Sequence, residues 1–440
     1  MATKEAQIDL ESMAKDLFEQ ATQEAKALKH INIIIAGKTG VGKSSLINAA
    51  FREKLADVGM GRPQTLETQL IEKDGMPIRI YDTVGLELTE STKQGTINDI
   101  HGLIQTQLDT GDDDRYIHCV WYCVMSESAR FEEPEQELIA AVARLNVPVI
   151  LVLTKAFRPK QALAFAQKIQ TELRPDVEAI IPVLAQKDEY SNDQVYGLDE
   201  LAETTLRILL DKGIINDTQR ISFSNVLSSF KLKRKEANLA VKKYVGLAFA
   251  AATTPVPLSD AAVLVPLQVT MMTQITLIYG AKLSKSKMQR ILISLVGVSG
   301  TTIAGRFIAT SLIKLIPGAG SVIGGAISAA TAAIMTYALG NTYIYVMESL
   351  LKGEINEDDL GNKSTLDVIG RVMKDNLAKA KNFNWCSKDD IAATPADTVD
   401  NTVAPIATSG NFTVPAVPHR AAKKSNGFWR KLKSLFPFGK

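Results

Sequence analysis

The sequence predicts an α/β domain, built on a mostly parallel sheet with helices on both faces, followed by an all-α domain rich in glycine and alanine. Strand and helix patterns alternate from about residue 30 to residue 212, and this alternation is typical of parallel sheets covered by helices. The alternation ends near residue 215, and long apolar segments follow. Residues 244–280 contain a single charged residue, Asp260, and residues 315–347 contain none.

Each element of the α/β domain is predicted from its own pattern of apolar residues. Short β-rich runs predict strands at 30–36, 66–72, 77–81, 116–124, 147–154 and 177–185. Helical spacing predicts helices at 43–51, 95–108, 133–145, 157–173 and 198–210. The dipeptide Asp74-Gly75 lies between the second and third strands and is a hairpin signal, so we expect one antiparallel pair.

Composition divides the chain into five predicted regions. Residues 1–28 form an amphipathic helix packed on the body, 29–215 form the α/β domain, and 220–384 form the helical domain. Residues 385–422 are rich in Thr, Ala, Pro, Val and Asn and are expected to be a flexible linker, which leads to a basic amphipathic tail at 423–440.

Charge and cysteine content exclude some classes of protein. The 440 residues carry a net charge of +2, so no global field indicates nucleic acid binding. Three cysteines cannot form a disulfide framework, and Cys119 and Cys123 lie in an apolar run where we expect buried thiols. The N-terminal segment carries acids and lacks the apolar core of a secretion signal, which favours a reducing, cytoplasmic location.

A glycine-rich loop between the first strand and the next helix carries the strongest chemical signal. Its amides can turn inward around phosphates, and the helix N-terminus adds a positive dipole. Lys43 can reach the β- and γ-phosphates, and Ser44 offers a hydroxyl to Mg²⁺. The nucleotide-binding residues predicted here are Gly37, Lys38, Thr39, Gly40, Val41, Gly42, Lys43, Ser44 and Ser45.

A second motif, Asp82-x-x-Gly85, ends the third strand and is typical of G proteins. Asp82 is expected to hold Mg²⁺ through water, and the Gly85 amide to sense the γ-phosphate. A threonine before this strand should close over Mg²⁺ and the γ-phosphate. Thr65 is the preferred candidate, and Thr68 is the alternative. The predicted metal ligands are Ser44, Thr65 and Asp82, and the predicted catalytic residues are Lys43, Thr65 and Gly85.

The region that should read the base departs from the G-protein pattern N/T-K-x-D. Thr154 and Lys155 are present, but no aspartate stands two residues after Lys155. Lys155 can still pack its stem over the base, and Ala185 lies in a turn that loosely matches the last base-binding box. Asp188 is a candidate for the replacement carboxylate. Guanine specificity is therefore less firmly predicted than triphosphate binding.

The position after Gly85 predicts slow hydrolysis. Small G proteins place a water-orienting glutamine there, whereas this chain has Leu86. Another group, a partner or a second protomer must then assist. Glu87 and Arg130 are polar candidates, although a solvated loop charge is the simpler interpretation of each.

These motifs resemble the Era-like branch of the translation-factor-related GTPases over about residues 28–212. The resemblance is carried by GKTGVGKSSLIN, DTVGLE and VILVLTKAF. The run IPGAGSVIGGAISAATAAIMTYALG, within 235–350, looks like the helical C-terminal domain of YcjF-type proteins, which has no assigned function and is often described as membrane-associated. The resemblance implies a P-loop G domain that binds GTP or GDP with Mg²⁺ and changes conformation with the nucleotide.

The helical half leaves three alternatives open: membrane spanning, reversible membrane association, and a soluble bundle. Residues 315–347 and 261–280 are long enough to span, but Gln268, Gln274 and several threonines weaken the second segment. Four glycines should let helices approach closely, as they do in membranes. They are Gly318, Gly320, Gly324 and Gly325.

The tail predicts a membrane-surface helix. Its apolar residues fall on one helical face, and basic residues surround them, a pattern that suits an anionic bilayer. RNA contact and a protein groove are the competing interpretations. The apolar residues are Phe428, Trp429, Leu432, Leu435 and Phe436, and the basic residues are Lys423, Lys424, Arg430, Lys431 and Lys433.

The favoured hypothesis is a slow, Mg²⁺-dependent GTPase switch in the cytoplasm that acts at a membrane. Its expected partners are guanine nucleotide and an anionic membrane contacted by residues 244–347 and 423–440; a homodimer stays open. No nucleic-acid partner is expected, because no RNA-binding module is recognisable. The alternatives are an Era-like RNA or ribosome-assembly factor and a soluble GTP-dependent scaffold.

Overall fold

The computed structural model describes residues 2–56, 69–83, 93–173, 175–187, 194–253, 260–297 and 329–381. They belong to an α/β unit from Leu28 to Leu232 and to a helical unit, which holds the N-terminal residues up to Ala27 and the residues from Lys233 onward. Several sequence predictions lie outside the described residues. They concern Thr65, Thr68, Gly85, Leu86, Glu87, Asp188, the linker and the tail at 423–440.

The α/β unit is built on a mostly parallel sheet, as predicted. Its strands are β1 Ile31–Ala36, β2 Gln69–Glu72, β3 Ile78–Asp82, β4 Cys119–Met125, β5 Val149–Thr154 and β6 Ala179–Pro182. The described strands are ordered β2-β3-β1-β4-β5-β6. β2 pairs antiparallel with β3, and Gly75 in the intervening turn has a φ of 75°, so the predicted hairpin is confirmed.

Helices cover both faces of this sheet. They are α2 Lys43–Ala50, α3 Lys93–Asp109, α4 Glu133–Arg144, α5 Pro159–Lys168, α6 Leu198–Asp211 and α7 Asp217–Val226. Alternate residues of β1 divide between the two faces, because side chains alternate along a strand. Ile33 and Ile35 pack with α2, α6 and α7, whereas Ile34 packs with α3, α4 and α5. The helix predicted to reach residue 173 continues from α5 as a π-helical turn, Ile169–Leu173.

The helical unit contains α1 Ala2–Lys26, α8 Phe230–Thr253, α9 Asp260–Tyr279, α10 Lys285–Gly297, α11 Ala329–Leu351 and α12 Lys363–Lys381. The predicted N-terminal helix is present as α1, which packs along α9 and α10. A side chain at Gly340 of α11 would meet Val241 at 2.6 Å and Met271 at 3.0 Å. This glycine therefore allows close helix packing, while the four glycines predicted for that role lie outside the described residues.

Within the described part of the chain, no helix is both long enough and apolar enough to cross a bilayer. The predicted segment 261–280 corresponds to α9, whose polar side chains pair with α11. The Thr276 and Tyr343 hydroxyls are 2.7 Å apart, and the Tyr279 hydroxyl donates to Glu348 Oε1 at 2.6 Å. The other predicted segment, 315–347, is described only from Ala329.

The thiols of Cys119 and Cys123 are free and buried in β4, as predicted. Burial raises the pKa of the Cys123 thiol to about 12. Both thiols therefore stay protonated at neutral pH and act as small apolar core groups.

A buried histidine lies on the chain just before β4. His118 Nδ1 accepts from the Asn32 amide at 3.0 Å, and the Asn32 side chain donates to the carbonyl oxygens of Asp114 and Tyr116. Burial lowers the pKa of His118 to about 4. The folded protein therefore keeps this imidazole neutral at pH values where the unfolded chain protonates it.

We expect the stability of the α/β unit to fall as the pH drops from about 6.5 to about 4. In this window the unfolded chain binds a proton at His118 that the folded chain does not bind, so stability rises with pH. The lowered pKa of His118 corresponds to a change of about 3 kcal/mol in the free energy of unfolding across the whole window. Urea denaturation at pH 7.5, 6 and 5, followed by tryptophan fluorescence, measures the slope. His118→Gln keeps an acceptor for Asn32 and should remove this part of the slope; an unchanged slope would contradict the assignment.

Candidate nucleotide-binding site

The site lies at the carboxyl edge of the parallel strands, where the strand order reverses. β1 is flanked by β3 on one side and by β4 on the other, and open α/β sheets bind ligands outside such a switch point. The glycine-rich loop leaves β1 at this edge and enters α2. Asp82 ends β3 opposite Ile35, and Thr154 ends β5 opposite Met125. Three separate motifs thus meet at one edge of the sheet.

Two glycines shape the loop in ways that other residues do not allow. Gly37 has a φ of 142°, and a Cβ there would lie 2.3 Å from the Cys123 carbonyl oxygen. Gly42, with a φ of 105°, is the N-cap of α2. Positive φ values of this kind are readily adopted only by glycine. Gly37 therefore lets the loop pass close to β4, and Gly42 turns the chain into the helix.

Lys43 and Asp82 are half-buried charged side chains at this edge of the sheet. Lys43 Nζ donates to the Gly37 carbonyl at 2.9 Å and to the Lys38 carbonyl at 3.3 Å. Burial lowers the pKa of Lys43, and the Asp82 charge partly offsets this. Burial raises the pKa of Asp82, and Lys43 acts against that change. Each charge thus moderates the cost of burying the other.

The donor set fits a magnesium ion. Asp82 Oδ1 is buried and has no hydrogen-bond partner among the described residues. Ser44 lies in the first turn of α2, half-buried, and offers a hydroxyl oxygen. Mg²⁺ prefers such hard oxygen ligands, with water and phosphate completing the shell. The third predicted ligand, Thr65, lies outside the described residues.

The other loop residues divide between exposed and supporting positions. Thr39 and Gly40 are exposed, whereas Val41 is buried in the core between the sheet and α2. Lys38 Nζ lies 2.7 Å from Glu132 Oε2 and 3.8 Å from Glu135 Oε1. The Lys38 ammonium is therefore paired with carboxylates at the start of α4. Its backbone amide is the group that can bind a phosphate.

The predicted base-reading pair supports the loop. The buried Thr154 hydroxyl lies 2.6 Å from the Val41 carbonyl oxygen and 3.1 Å from that of Val124. Lys155 adopts a left-handed backbone with a φ of 51°, and its Nζ donates to the Gly40 carbonyl at 2.7 Å. Thr154 and Lys155 thus hold the glycine-rich loop from the end of β5.

The turn after β6 also contacts α2, the helix that follows the glycine-rich loop. Ala185 packs against the hydrophobic core, and the Ser45 hydroxyl donates to Gln186 Oε1 at 3.3 Å. Arg130, one of the two polar candidates for assisting hydrolysis, is exposed, as expected of a solvated loop charge. The turn places residues 185–187 beside α2, where a base-binding segment is expected.

Two supporting residues were missed in the sequence. Asn48 of α2 accepts from the amides of Leu55 and Ala56 at 2.9 Å, and so fixes the start of the segment that leads toward Thr65. The Tyr196 hydroxyl donates to the Ala156 carbonyl at 2.7 Å and so anchors the turn after β5. Asn48 ends the run GKTGVGKSSLIN, but that motif does not indicate its partners, and Tyr196 lies outside the quoted motifs.

Comparison with known proteins identified matching family models and solved structures. A family model described as 50S ribosome-binding GTPase matches residues 32–155, and one described as a domain of unknown function, DUF697, matches residues 226–379. Two solved structures, a probable GTP-binding protein engB and Arabidopsis thaliana Toc33 with Mg²⁺ and GMPPNP, are each 18% identical. They cover 41% and 46% of this chain and 99% and 93% of their own, with TM-scores of 0.29 and 0.31.

Two curated relatives are similar in sequence. The tRNA modification GTPase MnmE of Burkholderia orbicola is 32% identical over 31% of this chain, which spans 27% of that relative's length. Magnetosome membrane protein 22 of Magnetospirillum gryphiswaldense is 33% identical over 32% of this chain and 68% of its own length. The chain therefore belongs to the P-loop GTPases, with an Era-like G domain followed by a helical DUF697 domain.

Proposed function

We propose that this chain is a Mg²⁺-dependent GTP-binding switch with slow intrinsic hydrolysis, whose helical half acts at a membrane. The observation that carries the nucleotide part is geometric: Lys43 Nζ donates to two carbonyls of the glycine-rich loop, and Asp82, whose Oδ1 has no partner among the described residues, ends the neighbouring strand at the same edge of the sheet. Burial weakens the competition of water for these charges, so each interacts more strongly with a bound phosphate or cation.

Each residue of the site has a distinct role in this proposal. The loop amides and the α2 N-terminus bind the phosphates, and Lys43 orients the β- and γ-phosphates. Ser44, Asp82 and Thr65 would hold Mg²⁺, which neutralises phosphate charge when it is bound. The Gly85 amide senses the γ-phosphate. Leu86 cannot orient water, and hydrolysis is therefore slow until a partner or a second copy assists.

The base selectivity of this site should be weak. In the N/T-K-x-D pattern, Phe157 occupies the position of the guanine-reading aspartate. Without that carboxylate, two hydrogen-bonding groups of the guanine ring lose a charged partner. We expect GTP to be preferred over ATP by less than about 100-fold. Competition of labelled GTP by ATP, with Mg²⁺ present, measures this ratio.

Phe157→Asp provides the matched test of that explanation. The substitution supplies the missing carboxylate and should increase the preference for GTP by about tenfold or more. Phe157→Asn, which adds a polar group without charge, is the control and should change the ratio little. A wild-type preference far above 100-fold would show that another carboxylate reads the base, with Asp188 the first to replace. A preference for ATP would overturn the proposal of a guanine nucleotide switch.

The membrane part of the proposal draws on different support. One relative is named a magnetosome membrane protein, and the tail at 423–440 has the composition of an interfacial helix. A cytoplasmic protein that associates with an anionic membrane surface accounts for both. A homodimer remains compatible with the need for assisted hydrolysis.

A second candidate is an RNA-associated GTPase. It is favoured by the description of the matching family as ribosome-binding and by relatives named tRNA modification GTPases. Vesicle flotation and RNA pull-down with the full chain separate the two candidates. Binding to structured RNA without flotation would favour the second.

A further inference from the structure

One outward face of α8 combines exposed leucines with lysines. Lys235, Leu239, Lys243 and Leu247 are spaced four residues apart, and Lys242 lies beside them, so all five share one side of the helix. Leu239 is 38% exposed and Leu247 is 44% exposed. We call these five residues the α8 face.

The opposite side of α8 holds the helix in the unit. Ala237, Ala240, Val241, Val245 and Ala248 are all buried. Val241 also packs near Gly340 of α11. Because this side is held in the core, the α8 face is presented on a rigid helix. Its two leucines are directed away from that core and are exposed to solvent.

The charge of the α8 face is uniformly positive. The sole acidic residue of α8, Glu236, is buried, whereas Lys235, Lys242 and Lys243 are not. Among the described residues, Lys235 and Lys242 form no ion pair. Lys243 Nζ lies 5.6 Å from the centre of the Tyr244 ring, a contact that leaves its charge available. Two neighbouring basic residues are excluded from the face because they pair with acids: Lys231 with Glu203, and Arg234 with Glu348.

We propose that the α8 face docks on an anionic lipid surface. The lysines match negatively charged headgroups, and the leucines between them match the acyl boundary just below. The phosphates of a nucleic acid would pair with the lysines, but the leucines would then face phosphate and water instead of an apolar surface. An acidic protein would need an apolar strip of matching length, whereas a bilayer supplies both chemistries along any direction. This inference rests on the proposed membrane function and adds the contacting surface.

Flotation of the full chain with phosphatidylcholine vesicles, with and without 30 mol% phosphatidylserine, tests the proposal. One variant combines Leu239→Gln with Leu247→Gln, and another combines Lys242→Gln with Lys243→Gln. The controls are Leu351→Gln, at a leucine that is also 44% exposed, and Lys374→Gln with Lys379→Gln, at exposed lysines of α12. Every protein is made with and without Trp429→Ala, so that the predicted tail does not mask the effect.

The wild type should float with the anionic vesicles. The leucine variant should lose about tenfold in partitioning at every salt concentration. The lysine variant should lose about 30-fold at low salt and much less at high salt, because only the charge contribution is screened. The controls should match the wild type, and GTP binding should be unchanged in all of them.

The other outcomes separate this inference from the function on which it rests. If the wild type floats and both face variants float equally well, the α8 face is not the contact, although the membrane function stands. If the wild type binds GTP but floats with neither vesicle, both membrane proposals are wrong. If the lysine variant loses RNA binding while flotation is unchanged, the face belongs to nucleic acid and the proposal is overturned.

Discussion

Lys43→Ala should weaken GTP binding by the full chain at least about 100-fold. Lys43 supplies the half-buried ammonium of the glycine-rich loop, and charge-assisted hydrogen bonds to phosphates contribute roughly 1.5–3 kcal/mol each. The lost cation also removes the positive charge that offsets the partial burial of Asp82. Isothermal titration calorimetry with GTP and Mg²⁺ measures the change. Circular dichroism should show an unchanged fold.

Lys38→Ala is the matched control for this prediction. It removes the same functional group from the same loop, but the Lys38 side chain points to Glu132 and Glu135. We expect its GTP affinity to stay within about threefold of the wild type, since an exposed ion pair contributes roughly 0–1 kcal/mol. A large loss from Lys38→Ala, or undiminished binding by Lys43→Ala, would contradict the assigned roles of the two lysines.

Gly37→Ala should both destabilise the α/β unit and abolish tight nucleotide binding. The new Cβ would lie 2.3 Å from the Cys123 carbonyl oxygen, which belongs to the backbone of β4 and cannot rotate away. Backbone strain at a positive φ adds to this clash. We expect a loss of about 3 kcal/mol, or roughly 6–12 °C in melting temperature. The displaced loop amides would no longer converge on the phosphates.

Gly102→Ala tests whether the effect is local to the loop. Gly102 lies in α3, and a Cβ there would meet nothing within 4 Å. Because alanine favours the helix over glycine by about 1 kcal/mol, this variant should melt at the same temperature as the wild type or slightly higher, with normal GTP affinity. Equal melting temperatures for Gly37→Ala and the wild type would show that the loop can move away from β4.

The sequence predicted the sheet well because its signals are local. Alternation of apolar runs identifies buried strands without knowledge of their neighbours, and the hairpin followed from Asp74-Gly75 alone. Strand ends were less certain: the fourth predicted strand began at residue 116, whereas β4 begins at Cys119. The three residues before it, 116–118, are buried without belonging to the strand, so their low exposure reflects tertiary packing.

Side-chain roles in the site were harder to predict. Thr154 matched the base-reading pattern, yet its hydroxyl contacts the Val41 carbonyl, a residue 113 positions away. Asn48 and Tyr196 were not among the predicted site residues, and they still anchor loops beside the site. A motif specifies which residue types can perform a chemistry, but which backbone group each side chain meets depends on how distant loops fold together.

The sequence by itself determined the fold class, the hairpin, and the phosphate loop with its lysine, because periodicity and glycine-rich turns act through neighbouring residues. Only the tertiary structure decided that Lys38 pairs with Glu132, that Asp82 Oδ1 lacks a protein partner among the described residues, and that the leucines of the α8 face point outward. These outcomes depend on contacts between residues far apart in the chain. Helix periodicity shows that Leu239 and Leu247 share a side, but packing against the other helices decides whether that side meets the core or the solvent.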